Sequence, residues 1–206
     1  MTEYIQVHPD NPEPRAIKQV VNVLLGGGVI VYPTDSTYAL GCRIGDKGAL
    51  ERIRRMRQLD AKHNFTLVCA DLASIATYAS VHNSAYRILK AYTPGPYTFV
   101  LKATPEVPRR LMHPKRKTIG LRVPDHPISQ AIVAMLGEPI MSTSLILPGE
   151  DERLFDAYEM RLKIGKLVDI IVDGGACGIE ATTMIDLVDG VPSVMRTGKG
   201  DPTPFL

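Results

Sequence analysis

Two hydroxyl-rich runs and two basic runs carry the residue types that handle small anions. The first, Thr34-Asp35-Ser36-Thr37-Tyr38, sets four hydroxyls and one carboxylate directly after the β-branched segment Val29-Ile30-Val31-Tyr32. Ligands in open α/β sheets bind beyond the carboxyl ends of the strands, so this loop could orient a small polar substrate. The plainer alternative is a turn whose side chains bond their own backbone. The second hydroxyl run, Met141-Ser142-Thr143-Ser144, ends another apolar segment, and its serines could contact phosphate. No histidine lies near it in sequence, so nothing there points to a serine nucleophile.

The first basic run holds Arg52, Arg54, Arg55 and Arg57. Wound as a helix, it puts Ala49, Leu50, Ile53 and Met56 on one side and Glu51, Arg54 and Arg55 on the other, with Arg52 at the edge. Arg57 falls inside the apolar sector. A guanidinium there must snorkel to water, meet an acidic partner or take an anionic ligand, because an unpaired buried charge is costly. The other three arginines fit a solvated basic face. The second basic run, from Arg109 to Lys117, includes Arg109, Arg110, Lys115, Arg116 and Lys117 and no acid. Such a run binds phosphate backbones by displacing counterions, or is simply a solvated loop. With no Trp in the chain and few aromatics nearby, single-strand stacking is disfavoured. Contact with a double-stranded RNA or a tRNA stem through its shape is the better match.

The elements that must position these groups alternate. Ile17–Leu25 has helical spacing, with Pro14 near its start and three glycines, Gly26 to Gly28, as its stop. The spacing predicts further helices over about 46–59, two short ones within 71–92, one from Pro127 to Gly137, and one near 156–167. Strands are predicted at 29–32, 65–69, 97–102, 119–123, 140–143, 170–172, 184–187 and 194–196, with an acidic loop after the strand that ends at Thr143. Alternation without segregation predicts an α/β domain around a large mixed sheet. No repeat or linker divides the chain, so one domain over residues 1–206 is expected, with the motif-bearing region at about 14–200.

A hydrophobic content of 45% with 22% charged residues excludes a disordered or fibrous chain. With 24 basic and 22 acidic residues the net charge is only +2, so any nucleic-acid site must be a local patch. Cys42, Cys69 and Cys177 are far apart and have no metal-ligand spacing, which predicts a reduced, cytoplasmic protein without structural zinc or another bound metal. The N-terminal Met1-Thr2-Glu3-Tyr4 lacks the pattern of a secretory signal, and no apolar run approaches a membrane span. Thr197-Gly198-Lys199-Gly200 lacks the phosphate-loop spacing, and the glycine clusters form no dinucleotide fingerprint.

Read in order, seven segments resemble a known family. They are Pro33 to Leu40, Pro94-Gly95-Pro96-Tyr97-Thr98, Arg122-Val123-Pro124-Asp125-His126-Pro127, Thr143-Ser144, Asp173-Gly174-Gly175, Thr182-Thr183 and Arg196-Thr197-Gly198. Together they resemble the YrdC-like threonylcarbamoyl-AMP synthases over about Val20 to Gly198. The opening His8-Pro9-Asp10-Asn11-Pro12 and the ending Pro204-Phe205-Leu206 are more similar to the YciO branch. The resemblance implies a twisted mixed sheet of the YrdC/RibB type around a positively lined cavity, and double-stranded RNA binding. It also implies condensation of threonine, bicarbonate and ATP, with Mg accompanying the ATP, into threonylcarbamoyl-AMP for tRNA modification, with no tightly bound cofactor. By position it places Thr34, Ser36 and Tyr38 near threonine, Ser142 and Ser144 by the nucleotide phosphates, Arg122 and Arg196 along the cavity, and Thr182 and Thr183 at its closure. Two family motifs are altered. The Lys-x-Arg motif falls on Arg57-Gln58-Leu59, which leaves Arg57 as the retained cation, and the Ser-x-Asn motif falls on Ser144-Leu145-Ile146. A lost charged hydrogen bond is worth about 1.5–3 kcal/mol. With these losses the resemblance implies a YciO-type protein that binds double-stranded RNA or tRNA and keeps a cationic nucleotide-binding cavity with low synthase activity; a fully active synthase is the alternative.

Overall fold

A computed structural model describes residues 2–60, 63–149 and 154–206. Ten strands form one mixed sheet in the order β1-β8-β2-β3-β7-β4-β6-β5-β9-β10. In chain order they are β1 (Glu3–Gln6), β2 (Ile30–Tyr32), β3 (Ala39–Arg43), β4 (Thr66–Val68), β5 (Tyr97–Lys102), β6 (Thr118–Arg122), β7 (Ile140–Ser144), β8 (Ile170–Asp173), β9 (Thr183–Asp186) and β10 (Ser193–Arg196). The helices are α1 (Pro14–Leu25), α2 (Lys47–Arg57), α3 (Leu72–Tyr78), α4 (Asn83–Tyr92), α5 (Pro127–Leu136) and α6 (Ala157–Ile164). The predicted α/β class and large mixed sheet are present. Among the described residues no helix is long and apolar enough to cross a membrane.

Helix ends follow local chemistry. Pro14 opens α1 and Pro127 opens α5, where a missing N–H costs nothing. Asp46, Asp71 and Asp156 cap α2, α3 and α6 through their carboxylates. The predicted helix 46–59 stops earlier, at Arg57, because Gln58 turns left-handed with φ 51°. The acidic loop expected after β7 falls partly on residues 150–153, which lie outside the described residues.

The sequence reading omitted two strands. β1 is an edge strand of four residues, only partly buried, and it pairs in parallel with β8. β3 begins at the end of the hydroxyl loop and contains Gly41 and Cys42, which interrupt any β-branched run. It nevertheless lies deep in the sheet, antiparallel to both β2 and β7.

The pairing register separates two faces. Leu40, Leu67, Phe99, Leu121 and Ile185 belong to one continuous buried cluster that also takes in residues of α2, α3, α4 and α6. The opposite face is divided. Ile30, Tyr32, Val68, Ile140, Ile170 and Val172 are buried under α1 and α5. That face goes on to carry Thr66 further along β4, Ser142 and Ser144 further along β7, and Thr98, Gly120 and Arg122 on the adjoining β5 and β6; among the described residues, α1–α6 contribute only Arg57 to the lining of the hollows over it.

Candidate functional site

The uncovered half-face is the floor of a cleft of about 160 Å³. Ser142 and Ser144 enter it from β7, Thr66 from β4, Thr98 from β5, Arg122 from β6 and Met184 from β9. Arg57 arrives from the end of α2, Arg196 from the end of β10, and His63 and Asn64 from the segment before β4. Thr182 and Ala181 close the far side. Of the residues singled out from sequence, Arg57, Arg122, Ser142, Ser144, Thr182 and Arg196 thus meet around one space.

The three arginines are held differently. Arg122, whose side chain is 10% exposed, pairs through Nη2 with the Asp35 carboxylate and donates from Nη1 to Ser36 Oγ at 3.2 Å. Asp35 also accepts the Asp125 N–H at 2.8 Å. Arg122 Nε is buried without a hydrogen-bond partner among the described atoms. Arg57 donates from Nε to the Ile146 carbonyl at 3.0 Å and from Nη1 to Thr143 Oγ1 at 2.7 Å. Its place in the apolar sector is therefore explained by reach: from the last turn of α2 it extends to the end of β7. Arg196 donates to the Thr182 carbonyl from Nε and Nη2 and to Thr182 Oγ1 at 3.3 Å. Thr182 Oγ1 also meets Thr98 Oγ1 at 2.7 Å.

Several hydroxyls serve the scaffold. Thr34 Oγ1 donates to the Thr37 carbonyl at 2.6 Å and accepts the Ser36 and Thr37 N–H groups at 3.2 Å, so the hydroxyl loop is folded by its own side chain. Tyr38 donates to the Gly175 carbonyl at 2.7 Å and accepts the Gly174 N–H at 3.2 Å, which pins the 174–175 turn. Thr183 Oγ1 accepts the Gly198 N–H at 2.9 Å and donates to the Gly200 carbonyl. Ser142 is held from beneath. It donates to the Leu40 carbonyl at 3.2 Å and meets Tyr32 Oη at 2.8 Å. The Tyr32 ring fits because position 41 is glycine: a Cβ there would stand 2.9 Å from Tyr32 Cε1 and 2.7 Å from Ile140 Cγ2. Burial pushes the Tyr32 phenol up to about 12, so it stays a neutral donor.

Arg54 departs from its expected solvated face. Its guanidinium lies 5.6 Å over the Phe65 ring and its side chain is only 16% exposed, because the segment before β4 folds back against α2. Arg52 pairs with Asp169 at 2.7 Å. In the second basic run all five charged residues are exposed. Arg110 donates to the Gly45 carbonyl and Arg116 pairs with Asp186 at 2.5 Å, so both ends of the run are fastened to the body. The segment borders a second hollow, lined by Leu111, His113, Arg116 and Gly120, which shares Asn64, Thr66 and Met184 with the main cleft.

The sequence reading missed Thr66, Thr98 and His63. The first two carry a legible signal, since each alternates with buried apolar neighbours and so faces away from the main core. The cysteines are free; burial pushes Cys42 and Cys69 up to about 12 and Cys177 to about 11, so they are poor nucleophiles. Among the described residues no group of three or more His, Cys, Asp or Glu is arranged to hold a metal ion.

The Sua5/YciO/YrdC family model, described as telomere recombination, matches residues 22–198. The uncharacterized protein YciO of Escherichia coli strain K12 is 55% identical over 206 residues, the whole of both chains. Its crystal structure aligns over both full chains with a TM-score of 0.95. The threonylcarbamoyl-AMP synthase of Vibrio vulnificus strain YJ016 is 30% identical over 161 residues, 77% of this chain and 86% of that protein. P. abyssi Sua5 complexed with L-threonine aligns at a TM-score of 0.87 and 26% identity, over 96% of this chain and 58% of that one. The same ordered motifs that carried the resemblance thus lie within a family match spanning nearly the whole chain: it belongs to the Sua5/YciO/YrdC family, with threonylcarbamoyl-AMP synthases among its distant homologues.

Proposed function

We propose that the cleft binds ATP, threonine and bicarbonate and forms threonylcarbamoyl-AMP and pyrophosphate slowly. The observation that supports this most is the convergence of Arg57, Arg122 and Arg196 with Ser142, Ser144 and Thr182 on one small polar cleft. Triphosphate and carbamate are both anionic, and preorganised cations and hydroxyls are what their transfer chemistry needs. Arg57 and Arg196 serve the phosphates, with Ser142 and Ser144 beside them. Thr34 and Tyr38 act by shaping the loop and turn around threonine, Ser36 by holding Arg122, and Thr182 and Thr183 by anchoring Arg196 and the 198–200 turn. Magnesium enters with the triphosphate as part of the substrate. The reaction is slow because Ile146 offers Arg57 a backbone carbonyl and brings no side-chain donor to the cleft, while Leu59 packs against the main core.

Mass spectrometry of protein, ATP, threonine, bicarbonate and magnesium tests this, with the Vibrio enzyme as a working control. A threonylcarbamoyl-AMP peak above the protein-free blank, lost in Arg57→Ala, is expected. No peak beside a working control overturns the reading.

A second reading, double-stranded RNA or tRNA binding, is favoured by one observation: the exposed basic run borders the hollow that continues the cleft. Arg109, Lys115 and Lys117 would contact phosphates, and the tethered Arg110 and Arg116 would hold the segment in place. Affinity for a tRNA should then fall steeply with salt, and charge reversal at the five positions should weaken it whatever the RNA sequence. Unchanged binding refutes the surface.

A further inference from the structure

We propose that His63 is the proton acceptor of the cleft, taking the proton that an ammonium substrate must lose before its nitrogen can attack bicarbonate. This rests on the reaction proposed above and names the group that starts it.

Three observations carry it. First, among the described lining residues His63 is the one side chain able to take up a proton near neutral pH; the other ionisable groups on the wall are Arg57, Arg122 and Arg196, which remain protonated. Second, the hydrogen-bond chain accommodates an available Nε2 lone pair. Arg57 Nη1 donates to Thr143 Oγ1, so the Thr143 hydroxyl keeps its own proton to give, and His63 Nε2 lies 3.3 Å away. In the tautomer protonated on Nδ1, the Nε2 lone pair turns toward the Thr143 hydroxyl, at the cleft wall, and the proposal assigns His63 this tautomer. At 3.3 Å that contact is long, and an incoming ammonium can replace it. Third, the ring is placed by packing, with its edge against Phe65 at a centroid distance of 5.1 Å.

The surroundings keep the ring neutral. Burial lowers its affinity for a proton, and the charges of Arg57 and Arg54 act in the same direction, against Asp60. The guanidiniums that repel an imidazolium also repel an ammonium, so a substrate amine entering this cleft gives up its proton more readily than in water.

The step balances without any further reagent. The threonine ammonium passes one proton to His63 Nε2. The neutral amine attacks the bicarbonate carbon, forming the C–N bond. The C–OH bond breaks, and the departing hydroxyl takes the second amine proton and leaves as water. The carbamate then meets ATP, and His63 returns its proton to solvent.

The test compares wild type with His63→Gln and His63→Ala, following threonylcarbamoyl-AMP formation from pH 5.5 to 9 while ATP binding is measured in parallel. The expected result is a rate that rises with pH along a single-proton limb in wild type. Both variants should lose that limb and about 10²–10⁴ in rate, with ATP affinity changed less than threefold. Equal rates in wild type and variants would overturn the proposal, and so would a variant that keeps the limb. If no preparation makes product, the reaction itself falls. His63 is then judged by histidine NMR: a titration below 6.5 that shifts on adding threonine sustains a proton-accepting contact, and an unshifted titration overturns it.

Discussion

One strand, β7, passes through two different environments on the same face. At Ile140 that face is roofed by α1 and α5 and is apolar. Two and four residues further on, Ser142 and Ser144 stand under the open cleft. The neighbouring β4 repeats the change, from Val68 under the helices to Thr66 in the cleft. The difference comes from the roof. Where helices cover the sheet, alternation places branched apolar side chains, and burial provides the stability. Where the roof ends, the same alternation places small hydroxyls, which leave room and offer hydrogen bonds. Stability and binding therefore draw on adjacent positions of the same strands.

The sharpest way to break this division lies at the seam. Arg122 and Asp35 form a pair almost closed to solvent, at the edge of the cleft. Arg122→Ala should cost about 3–5 kcal/mol in urea unfolding, because it strands a buried carboxylate. The double variant Arg122→Leu with Asp35→Asn should recover much of that stability while losing nucleotide binding, which separates the two roles. Under the roof, Ile140→Ala should cost about 2–5 kcal/mol and leave ATP affinity of the folded protein unchanged. On the open side, Thr66→Val should move stability by no more than about 0.5 kcal/mol and weaken ligand binding measurably. Between them, Tyr32→Phe should cost about 1 kcal/mol by leaving Ser142 without its partner from below.

A smaller effect is expected with pH. His126 caps α5, its Nδ1 accepting the Ile128 N–H at 3.3 Å, and burial holds its affinity for protons below the ordinary value of 6.5. In the window just below 6.5 the unfolded chain therefore binds more protons than the folded one, and stability falls as pH is lowered through it. His126→Asn keeps a capping side chain and should flatten that part of the curve, as followed by denaturant midpoints at pH 7.5 and 5.5.

Much of the architecture was legible because it is periodic. The helix of Pro14–Leu25 announces itself through a proline at one end and glycines at the other, and β5 and β6 through branched and aromatic runs. β3 was hidden because its burial comes from being sandwiched between β2 and β7, a property of topology that Gly41 and Cys42 do not display locally. In the site, Arg57 stood out because its charge contradicted its helical position. Thr34 was readable both as a ligand group and as the organiser of its own turn; the hydrogen bonds show it organising that turn, which residue types alone could not establish. His63 was invisible, since a lone histidine beside a strand carries no pattern, and its hydrogen-bond partner Thr143 comes from 80 residues later in the chain.

The glycine at position 41 has a consequence for how this sequence can drift. Any side chain there collides with the Tyr32 ring and with Ile140. Relieving the collision means shrinking positions 32 and 140 together, and the change at 32 removes the phenol beneath Ser142. Positions 32, 41, 140 and 142 are therefore tied as one unit, spanning core, backbone and cleft floor. Among descendants of this chain they should be inherited together or replaced together, and a library that varies the cleft floor while holding 32 and 41 fixed explores only part of the shapes the fold allows.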